Sequence, residues 1–214
     1  LMKQLSRPPQ MTIQQVTAEE IQSGVLTNYQ VVIFAGGIAS KQFSTLGEKG
    51  REAVRSFVGS GGGYIGICAG AYLATSRSNG LRIIDAQTVS PKWERGRGEV
   101  KIELTREGQG ILPKLEGEHS VLYVNGPIVE PAGLPELEDY QALALFRTEL
   151  AKNGTPVGIM VNSPAIFAGP FGKGRVVCIS PHPEQTKGLD GIVLNSVKWA
   201  AGQAVETRHA SASH

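Results

Sequence analysis

Cysteine is scarce in this chain. Cys68 and Cys178 stand far apart, with no CxxC pair and no Cys/His ligand spacing around either. That pattern speaks against a disulfide framework and against a zinc site. No uninterrupted apolar run approaches the length of a membrane span and no signal-peptide pattern is present, so no membrane association is expected. The first residue is Leu1 rather than a methionine, which leaves export open beside an expected cytoplasmic location. An excess of one charge is missing too. The net charge is +2, and the one basic cluster, "KWERGRGEVK", contains acidic residues of its own, so no nucleic-acid surface is expected. The sequence has no internal repeat and no linker.

What is present is a core-forming composition: 41% hydrophobic and 19% charged residues over a length of 214. Such a chain buries one core without disulfide or metal staples. The expectation is a single domain over residues 1–202 followed by a polar tail, 203–214. "QVVIFAGG" (30–37) is a β-branched run ending in two glycines, as a buried parallel strand does. "GEKGREAVRSFVGSGGG" sets Ala53, Val54, Phe57 and Val58 on one helical face and stops at glycines. "YIGI" (64–67) is the next strand, and a helix, "AGAYLATS", follows Cys68 directly.

Farther on, "LRIIDA", "EVKIEL", "SVLYVNG" and "YQALALF" read as short strands of a small antiparallel extension, and "VGIMV" as a return to the parallel sheet. "AIFAGPFGKGRVVCIS" predicts a hairpin turning at Phe171 to Gly174, and a helix is expected from about Leu189 to Ala201. The amino terminus reads as a short helix and an outer strand, "MTIQQV". The predicted fold is α/β: a flavodoxin-like open, mostly parallel sheet with helices on both faces.

Within that fold, Gly66-Ile67-Cys68-Ala69-Gly70 lies between a strand and a helix and has the form of a nucleophile elbow, with cysteine as the nucleophile. The flanks must be small because the turn is tight, and the following helix points its positive end at the sulfur. "VVCISPHPE" (176–184) ends a β-branched strand and presents His182 and Glu184, each behind a proline that restricts the backbone. An imidazole to take the thiol proton and a carboxylate to orient its other nitrogen are what a cysteine nucleophile requires. Both pieces follow predicted parallel strands, whose carboxyl ends share one crevice. Gly36 and Gly37 close the first such strand, and the Gly37 amide with that of Ala69 offers an oxyanion hole. Trp93, Arg95, Tyr123 and Asn125, in loops or at strand ends, are the candidate substrate contacts, with Arg95 suited to a carboxylate.

These residues resemble the class I glutamine amidotransferase superfamily, whose signatures are a GxCxG elbow and a terminal His-Pro-Glu. Within it the sequence is most similar to the biotin-protein ligase amino-terminal-domain family. The likeness rests on "FAGGIASKQFSTLGEKGREAVRSFVGSGGGYIGICAGAYLA", "WERGRG", "YVNGP" and "GKGRVVCISPHPE", and spans about Val16 to Trp199. It implies Cys68 as nucleophile, His182 as base and Glu184 as its orienter, and nothing in the sequence calls for a metal or an organic cofactor. The amidotransferases carry a substrate-holding glutamine four residues past the nucleophile. Tyr72 stands there in this chain.

The expected function is therefore cysteine-dependent amide hydrolysis or amido transfer through an acyl-enzyme, on a small amide or acyl substrate. Any ammonia-accepting partner would be a separate chain. The Tyr72 replacement keeps a second class open, a ligand-binding or regulatory module that retains the crevice without turnover. A third is peptidase or hydratase chemistry on the same fold. The oligomeric state is open, since no amphipathic stretch stands apart from the core-facing ones.

Overall fold

The structure, a computed structural model, describes residues 11–203. A short helix, α1 (Ala18–Gln22), opens with a capping box: Oγ1 of Thr17 accepts from the Glu20 amide, and the Glu20 carboxylate accepts from the Thr17 amide at 2.7 Å. There follow β1 (Val31–Phe34), α2 (Ala39–Gly59), β2 (Gly63–Ile67), α3 (Ala69–Ala74), β3 (Ala86–Thr88), β4 (Arg97–Leu104) and α4 (Arg106–Gln109). The chain continues through β5 (Glu118–Val124), β6 (Val129–Pro131), β7 (Gln141–Phe146), β8 (Pro164–Phe171), β9 (Gly174–Ile179) and α5 (Asp190–Ala200).

Seven strands form one sheet in the order β1-β2-β9-β8-β7-β4-β5, and β3 pairs with β6 apart from it. Only the β1–β2 and β2–β9 pairings are parallel. The other four are antiparallel, which corrects the expected mostly parallel, flavodoxin-like sheet. The fold is mixed α/β with a mostly antiparallel seven-stranded sheet. One cause is the hairpin: β8 and β9 are joined across Gly172-Lys173, with Gly172 at φ 59, and a two-residue connection can only reverse the strand.

The sheet also curls. Leu122, on the edge strand β5, accepts from the His182 amide at 2.7 Å and donates to Thr186 Oγ1 at 3.0 Å, so the far edge is bonded to the segment that follows β9.

Alternation along the central strands feeds two cores. Ile65, Ile67, Val177 and Ile179 belong to one, with Ile192 and Val193 of α5. Tyr64, Val176 and Cys178 belong to the other, with Val54 and Val58 of α2. Helices thus cover both faces of the three parallel strands, and each fully buried valine or isoleucine contributes about 1.5–3 kcal/mol of transfer free energy. The helix begins eight residues before the expected Gly47 and kinks there, where Gly47 takes φ 60.

Three expected strands differ. "VGIMV" (157–161) is a run of bends and turns. Its backbone wraps the Glu149 carboxylate, which accepts from the Gly158 and Met160 amides. "LRIIDA" contributes only its last residue to β3. "MTIQQV" makes no strand, although Ile13 and Val16 pack on the two cores. The helix expected before it falls within residues 1–10, and that segment and nearly all of the expected polar tail lie outside the described residues. Among the described residues, no helix is long and apolar enough to cross a membrane.

Candidate active site

The parallel pairings bring three chain reversals to one edge. In register, Ile67 of β2 faces Ile179 of β9, so Cys68 leaves one strand beside the point where the chain departs for His182. Phe34 of β1 faces Gly66, which sets Gly36 and Gly37 at the same end.

Cys68 has φ 52 and ψ −99, a conformation that L-residues rarely adopt and that costs on the order of 1–3 kcal/mol. Its surroundings enforce it. The Cys68 amide donates to the Ile179 carbonyl at 2.8 Å, and its carbonyl accepts from Tyr72 in the first turn of α3. A Cβ on Gly66 would lie 2.4 Å from the Gly70 carbonyl oxygen, and one on Gly70 would lie 2.0 Å from that of Phe34. Tyr64 braces the same turn from below, its hydroxyl donating to the Gly70 carbonyl at 2.8 Å.

Cys68 and His182 line the same cavity, and Cys68 is among the groups that raise the His182 pKa. The ring's Nδ1 is 2.7 Å from Oε1 of Glu184, so Nε2 is the nitrogen left for the thiol. Both partners are buried, His182 at 5% and Glu184 at 8% exposure. Burial by itself pulls the imidazole pKa down, but the hydrogen bonds to Cys68 and Glu184, with the attraction of their charges, override it and raise it from 6.5 to about 9. The ring therefore carries its second proton at neutral pH. With Nδ1–H donated to Glu184, the Gln185 amide, 3.2 Å from that same Oε1, donates to the carboxylate as well. Gly36 packs on the ring: a Cβ there would stand 2.8 Å from Cε1 of His182. On its other side the Cys68 sulfur is 3.3 Å from the Val124 carbonyl oxygen, brought over by the curl of the sheet.

A cavity of about 710 Å³ opens over the sulfur. Gly36, Gly37, Cys68, Ala69, Tyr72, Trp93, Asn125, His182 and Glu184 line it. Tyr72 and Asn125 are tied together, the Tyr72 hydroxyl donating to the Asn125 carbonyl at 3.1 Å. Burial, then the nearby Cys68 charge, pushes the Tyr72 hydroxyl pKa up, so it stays a neutral donor. Asn125 sits at φ 52 and accepts from the Gly96 amide at 2.6 Å. Trp93 stands at the mouth, 51% exposed.

Two sequence candidates lie elsewhere. Arg95 is 2% exposed, and its guanidinium donates to the Leu150 and Pro156 carbonyls and to Glu149. Tyr123 is fully buried, with its hydroxyl on the Gly126 carbonyl. Neither lines the cavity. Sequence reasoning passed over Arg77, Arg97 and Gln185, which line it. "WERGRG" offered two arginines two positions apart; its second, Arg97, opens β4 and is exposed. Among the described residues, no group of three or more His, Cys, Asp or Glu side chains is placed to hold a metal ion.

Comparison with known proteins gives a partial family match: the family described as "Biotin-protein ligase, N terminal" matches residues 2–80, which include β1, α2 and the elbow. No curated protein matches. Among solved structures, a cytoplasmic protein of Salmonella typhimurium is 13% identical, with 93% of this chain and 85% of that chain covered and a TM-score of 0.63. A protein of Parabacteroides merdae described as ThuA-like is 14% identical over 98% of this chain and 86% of its own, also at 0.63. A second such protein, from Bacteroides uniformis, is 14% identical over 97% of this chain and 84% of its own, at 0.59. At these identities the likeness is one of fold.

Proposed function

We propose that the protein is a cysteine-dependent amide hydrolase or acyl transferase of the class I glutamine amidotransferase-like superfamily, within the branch of the biotin-protein ligase amino-terminal domain. The observation that carries this reading is that Cys68, His182 and Glu184 meet on the lining of one cavity at the ends of β2 and β9, with Nδ1 of His182 2.7 Å from Glu184. The flavodoxin-like likeness is then confined to β1, β2 and β9, the three strands that such a site uses.

The chemistry follows from the positions. The Cys68 sulfur, its proton already held on Nε2 of the His182 imidazolium, attacks the acyl carbon and forms an S–C bond. The amides of Gly37 and Ala69 stabilise the oxyanion. His182 then gives its proton to the leaving nitrogen as the C–N bond breaks, and ammonia or an amine departs. Water attacks the thioester, its proton passing through His182, and the acid leaves with the thiol restored. Glu184 holds the ring throughout and stabilises its positive charge.

Acyl-enzyme formation tests this reading with a generic ester. Incubation with p-nitrophenyl acetate is expected to release a burst of p-nitrophenolate and to leave an acetyl group on Cys68, found by mass spectrometry. The burst should disappear in Cys68→Ala and slow by about 100-fold or more in His182→Ala, the usual scale for positioned acid–base catalysis. A wild-type protein without burst or adduct would favour the second reading, a ligand-binding module, which the Tyr72–Asn125 hydrogen bond at the usual glutamine position supports.

A further inference from the structure

Charge around the cavity is one-sided. Among the described residues, its charged lining side chains apart from the His182–Glu184 pair are two cations, Arg77 and Arg97. Glu184 is committed to His182 at 2.7 Å. An amino-acid substrate such as glutamine needs an acidic partner for its ammonium as well as a cation for its carboxylate, and this lining supplies only the second.

Both arginines line the cavity that opens over the sulfur. The Arg77 guanidinium lies 5.5 Å from the centre of the Tyr72 ring, a cation–π contact, and that ring is fixed in turn by its bond to Asn125. Arg97 pairs in register with Val124, whose carbonyl is 3.3 Å from the Cys68 sulfur.

We infer that Arg77 and Arg97 determine specificity, and that the substrate is a net anionic acyl compound: an amide or related derivative whose far end is an oxyanion and which carries no ammonium group. This rests on Cys68 being the nucleophile, and the experiment separates the two claims. Iodoacetate and iodoacetamide form the same S–C bond and expel the same iodide, but only the first is anionic.

Their rates at Cys68, resolved by mass spectrometry in the full chain, are compared with their rates at glutathione. The preference for iodoacetate is expected to exceed that of glutathione by about tenfold at low salt and to shrink as salt is added. Arg77→Gln with Arg97→Gln should return it to the glutathione value. The His182 imidazolium also attracts an anion, which is why the arginine variants carry the assignment. A wild-type preference equal to that of glutathione overturns the inference, as does one that survives both substitutions. His182→Ala slowing neither reagent would sink the nucleophile reading and leave the charge preference standing. Should neither reagent label Cys68, thermal unfolding with glutarate and with glutaramide at equal ionic strength decides the matter. Stabilisation by glutarate alone, lost in the double variant, supports the inference; no effect of glutarate overturns it.

Discussion

His182 carries the electrostatics of the site. A pKa raised from 6.5 to about 9 means that the folded protein binds a proton there more tightly than the unfolded chain does. The stability gained is fully present below pH 6.5 and is lost as pH rises through about 9. An NMR titration of the His182 Cε1 proton is expected to show a midpoint near 9 in wild type and a lower one in Glu184→Gln, which removes a raising charge.

Arg95 makes the contrasting case. It was attractive as a carboxylate ligand because its fork suits that group. The structure uses the fork instead on the Leu150 and Pro156 carbonyls and on Glu149, just before the segment that looked like a strand. Arg95→Ala should destabilise by about 3–5 kcal/mol in chemical denaturation, since it strips a partner from a buried pair. Alkylation of Cys68 per folded molecule should not change. A sequence does not distinguish a buried arginine from a pocket-facing one two residues away, because the difference lies in the distant Leu150 and Pro156 carbonyls.

At the scale of elements, the strand–elbow–helix unit was legible because its requirement is local: two glycines that must touch, around one residue at positive φ. Gly66→Ala or Gly70→Ala should cost upwards of about 3 kcal/mol and abolish soluble expression, because each Cβ meets backbone rather than a movable side chain. Gly36→Ala belongs to another class. Its Cβ would press on the His182 ring at 2.8 Å, so the expected outcome is slower Cys68 alkylation with a much smaller loss of stability. A Gly36→Ala protein that alkylates at the wild-type rate would show that the ring need not sit where it does. The prolines around His182 were also readable. Gln185 beside them was not, since only the fold puts its amide on the Glu184 carboxylate.

Over the whole molecule, sequence grammar placed most of the strands and helices but misjudged how the strands pair. The β8–β9 hairpin was legible at its glycine turn, but β8 is buried along most of its length and lacks the alternation that marks an antiparallel strand, so its second antiparallel pairing, with β7, was not. The curl that seats β5 on the segment after β9 is a long-range event with no local signature. That curl delivers Val124 and Asn125 to the sulfur. The crevice was nonetheless predictable, because it needs only the three parallel strands β1, β2 and β9.

The central claim is that Cys68 and His182 act as one reactive pair, and the most direct measurement is the rate of iodoacetamide alkylation at pH 7, read separately at each cysteine. Cys178 is the internal control: it is fully buried, and burial pushes its thiol pKa far up. The account predicts fast labelling of Cys68 in wild type, at least about tenfold slower labelling in His182→Ala, and no labelling of Cys178 until the protein unfolds. Equal Cys68 rates in the two proteins would contradict it.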